Sequence, residues 1–435
     1  MRVWFYKTYL AIDILILIVA AYVATRSWNV YKLPVIGYLL APVSVYMLFK
    51  CRKNRLLSYM MVVIATVNIS ISANDFIRLG EGISAWQSAR MRMTSTNVLM
   101  AQCLFLFTAV FNLFLNGDLC EEQDDIAEIY DARMQQNIVA YACFAVLAAI
   151  LAYGVISEVR TRTVSEYASV STPIYEYSVL LYILAWLTAK DNKWLNVFLD
   201  IYALAFIGIF LFIGDRSSAS MYMIFLLVTK YKGKVSFSRL IGVAVGGLLV
   251  FNSIAIFRTS GLTDLGTFFQ ALLERGLYTD TASWAYYTSI TVVAAARSFN
   301  QPMVLHLGFL KSLIGFSNAY ASLQVFARNY RPYLYFNRGG SIFPAYFMAW
   351  MGFGGVVLGG IIVGLIIRRL FSSSVSGIRL YYKFLLIVFV IRWYVYSPTN
   401  MFRSIFVLGT VLYLGYTLCA RALFKDTYDE RAGTA

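Results

Sequence analysis

Between residues 258 and 340 the sequence sets Arg258, Arg275, Arg297, Lys311, Arg328, Arg331 and Arg338 against Asp264, Glu274 and Asp280. Six of those seven cations are arginine. A guanidinium is a planar fork of donors that matches two oxygens of one phosphate, whereas a lysine offers a point charge. Three more arginines belong with them: Arg216 in Gly214-Asp215-Arg216-Ser217-Ser218, Arg392 within an apolar run, and Arg403 at the start of another. An arginine inside an apolar run is costly unless something answers its charge. Contact with lipid headgroups or a local acid is the plainer account of any single arginine. Taken as a group, they predict a pocket for an anionic, phosphate-bearing ligand.

Proton transfer calls for another residue type. His306 is the sole histidine and therefore the first candidate for a general base. Its neighbours, Val304, Leu305, Leu307 and Gly308, suit a buried, hydrogen-bonded ring just as well. Asp215, Asp264, Glu274 and Asp280 are the rival bases. One histidine excludes a histidine-rich metal centre, and the five cysteines are scattered without a Cys-x-x-Cys pair. No phosphate-binding loop, nucleophile elbow, zinc-hydrolase or dinucleotide motif stands in a convincing context. No metal and no cofactor are expected.

The elements that must position these residues are transmembrane helices. Of 435 residues, 60% are hydrophobic and 14% charged, where a soluble domain carries about 25% charged residues. The mean hydropathy is +0.67. Apolar runs long enough to cross about 30 Å of hydrocarbon recur throughout the chain. They lie near 8–25, 33–49, 56–72, 98–115, 137–156 and 174–189, then 194–213, 217–229, 239–257, 342–367, 378–396 and 402–420. The expected fold is an all-α polytopic bundle of about twelve spans.

Short-loop lysines and arginines set the orientation. A cytoplasmic N-terminus collects Lys50, Arg52, Lys53, Arg55, Lys190, Lys193, Lys230, Lys232, Lys234, Arg368 and Arg369 on one side, and twelve spans return the C-terminus there. Most of the +15 net charge is then a topogenic signal, and no nucleic-acid partner is needed. Three regions follow: 1–257 with nine spans, 258–340 as one long outer connection, and 341–435 with three spans and a tail. Within the connection, Trp284–Ala296 and Val304–Phe316 are apolar enough for interfacial or re-entrant helices lying on the membrane surface.

Other features have plainer readings. Gly355-x-x-x-Gly359 and Gly360-x-x-x-Gly364 predict close helix packing. Asp13 and Asp200 predict polar contacts or proton-relay groups inside spans. The acid-rich run from Asp118 to Asp131 predicts a solvated helical face, or a dock for a basic partner.

The Gly-Asp-Arg-Ser-Ser turn, Arg258 after the ninth span, the long outer connection and the segment from Asn337 through Gly339-Gly340-Ser341 to Gly355 together resemble the O-antigen polymerase (Wzy) family. The layout covers the whole chain; the motifs cover 214–220 and 337–364. Where the family often carries an acid, Pro344-Ala345-Tyr346 has none. The resemblance implies a GT-C-like enzyme of the bacterial inner membrane, working on its periplasmic face. It would transfer a growing glycan from undecaprenyl diphosphate onto a new lipid-linked repeat unit. It also implies membrane-lipid contacts and a chain-length regulator as a partner.

An O-antigen ligase or a polyprenyl-phosphate glycosyltransferase would share this architecture. A flippase for lipid-linked oligosaccharide is the non-enzymatic alternative, but it would show internal repeats and charges on both sides of a cavity. The arginines gather on one face, which favours chemistry at a single surface.

Overall fold

Start signals in the sequence become helix caps. In the structure, a computed structural model, the Asn54 side chain accepts from Leu57 N–H (3.0 Å) and the Thr94 side chain from Asn97 N–H (3.2 Å). Each satisfies one of the donors that a first helical turn leaves unpaired. The structure describes residues 2–80, 91–117, 119, 126–156, 173–213, 215–231, 236–260, 265–299, 302–315, 319–330, 332–337, 340–372 and 377–423. The described residues are helical, apart from turns and an isolated bridge between Gln135 and Ala189.

In chain order the helices begin with α1 (Arg2–Thr25), α2 (Leu33–Cys51), α3 (Arg55–Ile71), α4 (Ser95–Phe114), α5 (Ile126–Asp131) and α6 (Asn137–Gly154). Next come α7 (Pro173–Thr188), α8 (Lys193–Ile213), α9 (Arg216–Lys230), α10 (Phe237–Ser260), α11 (Leu265–Arg275) and α12 (Asp280–Ser298). The last are α13 (Pro302–Leu313), α14 (Ala319–Tyr330), α15 (Phe343–Phe371), α16 (Gly377–Val388) and α17 (Gly409–Leu423). Three stretches are π-helical: Ser72–Ile77, Arg392–Tyr396 and Asn400–Leu408.

Among the described residues nine helices are long and apolar enough to cross a membrane. They are α1, α2, α3 with its π-helical extension, α4, α6, α8, α10, α15, and α17 with the π-helical stretch before it. At the other three expected spans the helices are shorter: α7 has 16 residues, α9 has 15 and α16 has 12.

The helices sort into two compact units that alternate along the chain. The first comprises Met1–Gln123, Lys234–Ser372 and Val390–Asn400. In it α4 packs along α1, α2 and α15. Side chains of α4 take the space left by the α15 glycines: a Cβ on Gly360 would meet Val110 at 2.8 Å, and one on Gly364 would meet Phe114 at 2.6 Å. Gly359 instead faces Phe347 of its own helix, across a break at Met351 and Gly352.

Polar residues tie these apolar helices together. Lys50 Nζ reaches both carboxylate oxygens of Asp13 (3.0 Å each) and the Asn112 carbonyl (2.7 Å). Asn112 and Asn116 donate to the same carboxylate. Asp13 thus anchors an ion pair with amide support rather than lying on a relay.

The helix α12 differs from expectation. Fourteen of its nineteen residues are buried, against α3, α4 and α15, so it is a core helix and not a surface one. Its hydroxyls are absorbed internally, as where Ser289 Oγ accepts from Ile342 N–H (3.0 Å) and Thr291 Oγ1 from Phe336 N–H (2.9 Å). The helix α13 does fit a surface role, with Met303, Val304, Leu307 and Leu310 exposed.

The second unit comprises Asp124–Gly233, Ser373–Phe389 and Met401–Ala435. Its core is an aromatic stack in which Tyr182, Tyr202, Phe206 and Tyr222 meet at ring distances of 4.3–6.0 Å. Arg133 lies over the Trp186 ring at 4.1 Å and donates to its carbonyl and to Asn196. Burial lowers the Arg133 pKa to about 10, which leaves it a cation at neutral pH. Asp200 pairs with Lys230 at 2.6 Å. Five of the seven acids in the run 118–131 lie outside the described residues, and the other two, Glu128 and Asp131, are exposed.

Candidate functional site

Among the described residues, Arg392 is the one of the sequence-selected arginines that the structure encloses. It opens the π-helical turn Arg392–Tyr396, is 6% exposed, and holds its guanidinium 4.7 Å above the Tyr396 ring. A π-helical turn inserts one extra residue per turn and redirects the side chains beyond it. Here it turns Trp393 toward Phe343 (5.8 Å) and carries the Tyr394 hydroxyl to Asn68 Oδ1 (2.6 Å).

The entry to α15 closes on this turn. Ser341 N–H donates to the Tyr396 carbonyl (3.0 Å), and so does the Tyr346 hydroxyl (3.2 Å). The approach requires glycine at 340, because a Cβ there would lie 2.6 Å from the Tyr396 ring and 2.7 Å from its Cα. Ser341 also shares a hydrogen bond with Ser289 of α12 (2.8 Å).

The other described arginines belong to one unit or the other. In the first unit Arg275 donates to Asp280 Oδ1 (3.1 Å), which joins the end of α11 to the start of α12. Both are sequence candidates, and each answers the other's charge. Arg297 and Arg328 are exposed. The second unit holds Arg216 and Arg403. Asp215 caps α9, accepting from Ser218 N–H (3.2 Å) and from the hydroxyls of Ser217 (2.8 Å) and Ser218 (2.6 Å). That cap leaves Arg216 half-buried at the first helical position. Arg403 is half-buried in its π-helical stretch, with Nε enclosed and without a hydrogen-bond partner. Arg331, Arg338 and Asp264 lie outside the described residues, as does the side chain of Arg258.

His306 is half-buried on α13, edge-on to Trp350 at 6.5 Å. Its Nδ1 is enclosed without a hydrogen-bond partner, contrary to the hydrogen-bonded ring that its neighbours suggest. Beside it, Leu305, Phe309, Ser312, Tyr346 and Trp350 line a small cavity. Glu274 is exposed and accepts from Gln270 on α11.

The chain matches no known protein family, no curated protein and no solved structure.

Sequence reasoning missed one carboxylate altogether. Asp75 lies in the π-helical turn Ser72–Ile77, fully buried, and accepts from Ser283 Oγ of α12 at 2.8 Å. The Tyr287 hydroxyl, one turn further along α12, lies beside the same carboxylate. Neither it nor Asp75 Oδ1 makes an aligned hydrogen bond. Just beyond comes a tight turn in which Leu79 takes φ +48° and Gly80 φ +72°. Gly80 N–H donates to the Asn74 carbonyl (2.6 Å), and Arg92 Nη1 to the Leu79 carbonyl (2.9 Å). A non-glycine residue in the left-handed region stores strain, which functional sites tend to hold. The legible signal was the polar face Asp280-x-x-Ser283-x-x-Tyr286-Tyr287, whose i, i+3, i+7 spacing puts three oxygens on one side of a helix.

Proposed function

We propose that the chain is a membrane-embedded glycosyltransferase that lengthens a glycan carried on undecaprenyl diphosphate. One observation carries the reading: the glycine-rich entry to α15, on which the resemblance to the O-antigen polymerases rests, closes on the turn that buries Arg392. The full architecture in this reading is a GT-C-like bundle of about twelve spans in a bacterial inner membrane. Both termini are cytoplasmic and 258–340 is periplasmic.

In the reaction, the anomeric carbon–oxygen bond of the donor breaks and its electron pair passes to the departing diphosphate. Charge grows there as the bond lengthens, so fixed guanidinium groups stabilise the transition state more than the ground state. Arg392 is the foremost of these groups, and the arginines of 258–340 are the others on which the reading draws. The acceptor hydroxyl bonds to the anomeric carbon and releases a proton. Of the candidate bases that the structure describes, Asp215 is committed to its cap, Asp280 to Arg275 and Glu274 to Gln270, while His306 Nδ1 is unengaged. A chain-length regulator is the expected protein partner.

Deleting the gene in its native host tests the reading. Loss of a polymerase leaves single repeat units on the lipid core, loss of a ligase leaves polymer on the carrier, and loss of a flippase leaves units facing the cytoplasm. Unchanged surface polysaccharide would defeat all three. Arg392→Ala should abolish polymer while protein level in the membrane persists.

A further inference from the structure

Asp75 is a carboxylate enclosed at the end of an apolar helix, and among the described residues no ion pair reaches it. From α12 it faces Ser283 and Tyr287, with Tyr286 and Asp280 on the same helix. Tyr286 is engaged elsewhere, donating to Asn97 Oδ1 of α4 (2.6 Å), and Asp280 belongs to Arg275. The guanidinium of Arg92 donates to the Leu79 carbonyl and faces Tyr287. Among the described residues, the charge on Asp75 is therefore met by hydroxyls alone.

Isolating an ionised carboxylate from water without a counter-charge is among the most expensive arrangements a fold can contain. In a membrane-embedded helix such a group carries a proton, pairs with a base, or coordinates an ion. Among the described residues the second option is absent from the contacts of Asp75. The atoms present fit the other two. Asp75 Oδ1 and Tyr287 Oη are both enclosed and without aligned partners, and Ser283 Oγ stands 2.8 Å from Oδ2. These are hard oxygen donors, which suit a proton or an alkali cation and not a soft metal. The π-helical geometry supports the same conclusion, because it takes Ser72–Ile77 out of the regular backbone pairing and is frequent at functional sites.

We propose that Asp75, Tyr287 and Ser283 form a monovalent-cation site that holds a proton or Na+ between the end of α3 and α12. Occupancy neutralises the carboxylate and latches the two elements together. The site does not depend on the glycosyltransferase reading, and its test uses no glycan.

The full-length protein in lipid nanodiscs is melted in NaCl and in choline chloride at fixed pH, beside Asp75→Asn and Tyr287→Phe. A Tm that rises with Na+ in the parent and is unmoved in Asp75→Asn identifies sodium. With no Na+ response, infrared difference spectra decide: loss of a protonated-carboxyl C=O stretch in Asp75→Asn identifies a proton. Loss of a carboxylate stretch instead, with no Na+ response, means a bare charge and overturns the proposal. Should Asp75→Asn fail to fold, Tyr287→Phe replaces it. That variant should shift the C=O band or blunt the Na+ response, and a parent-like result in both would sink the site.

Discussion

Asp13 and Lys50 are both closed to solvent and in direct contact, so each answers the other's charge. Deleting one member of a buried pair leaves an uncompensated charge, which costs about 3–5 kcal/mol. Asp13→Ala should therefore lower the Tm of the purified protein sharply, with Lys50 left facing the Asn112 carbonyl. Pairing Asp13→Leu with Lys50→Met removes both charges and should recover most of the loss. If the double variant melts no higher than Asp13→Ala, the pair is not the cause. The sequence showed Asp13 as a charge inside a span but not its partner, because Lys50 lies 37 residues away and marks a span end. Asp75 was harder to see. It follows an apolar run directly and looks like the first residue of a loop, and what encloses it is α12, more than 200 residues later.

At the scale of elements, hydropathy located the long helices well, since a span declares itself by length and apolar content. It misjudged α12, whose serines, threonines and tyrosines dilute its apolar character. That helix is buried because its hydroxyls find partners on α4 and on the chain leading into α15, a fact of packing and not of local sequence. The π-helical turns were equally invisible, because one extra residue per turn leaves no compositional trace. The entry to α15 was legible as a motif, and the structure adds the reason for its glycine. Overfilling a closely packed position costs about 1–3 kcal/mol. Gly340→Ala should push the entry away from Tyr396, displace the Arg392 turn and reduce polymer length in cells, with the protein still inserted. Parent-length polymer would mean that the contact is dispensable.

At the scale of the whole molecule, the side of the membrane on which 258–340 lies decides every functional statement about its arginines. Arg297 and Arg328 are exposed and suit single-cysteine substitution. In intact cells both positions should react with a membrane-impermeant maleimide, whereas a cysteine at Lys53 should react after lysis alone. Reversed labelling would place the arginines on the cytoplasmic side and end the lipid-diphosphate reading. Lysine and arginine in short loops are what predict this side, and the labelling tests it. The alternation of the two units was not, since it depends on which distant segments pack together.

Asn68 sets the order in which the first unit can be finished on the ribosome. Its amide donates to Ser44 (3.2 Å) and Thr108 (3.4 Å), so α2, α3 and α4 can gather around it early. Its Oδ1 waits for the Tyr394 hydroxyl, which emerges 326 residues later. Until Tyr394 is made, that oxygen lacks the donor it has in the folded chain. Truncations that stop short of Tyr394 would keep that vacancy for life and become substrates for membrane quality control.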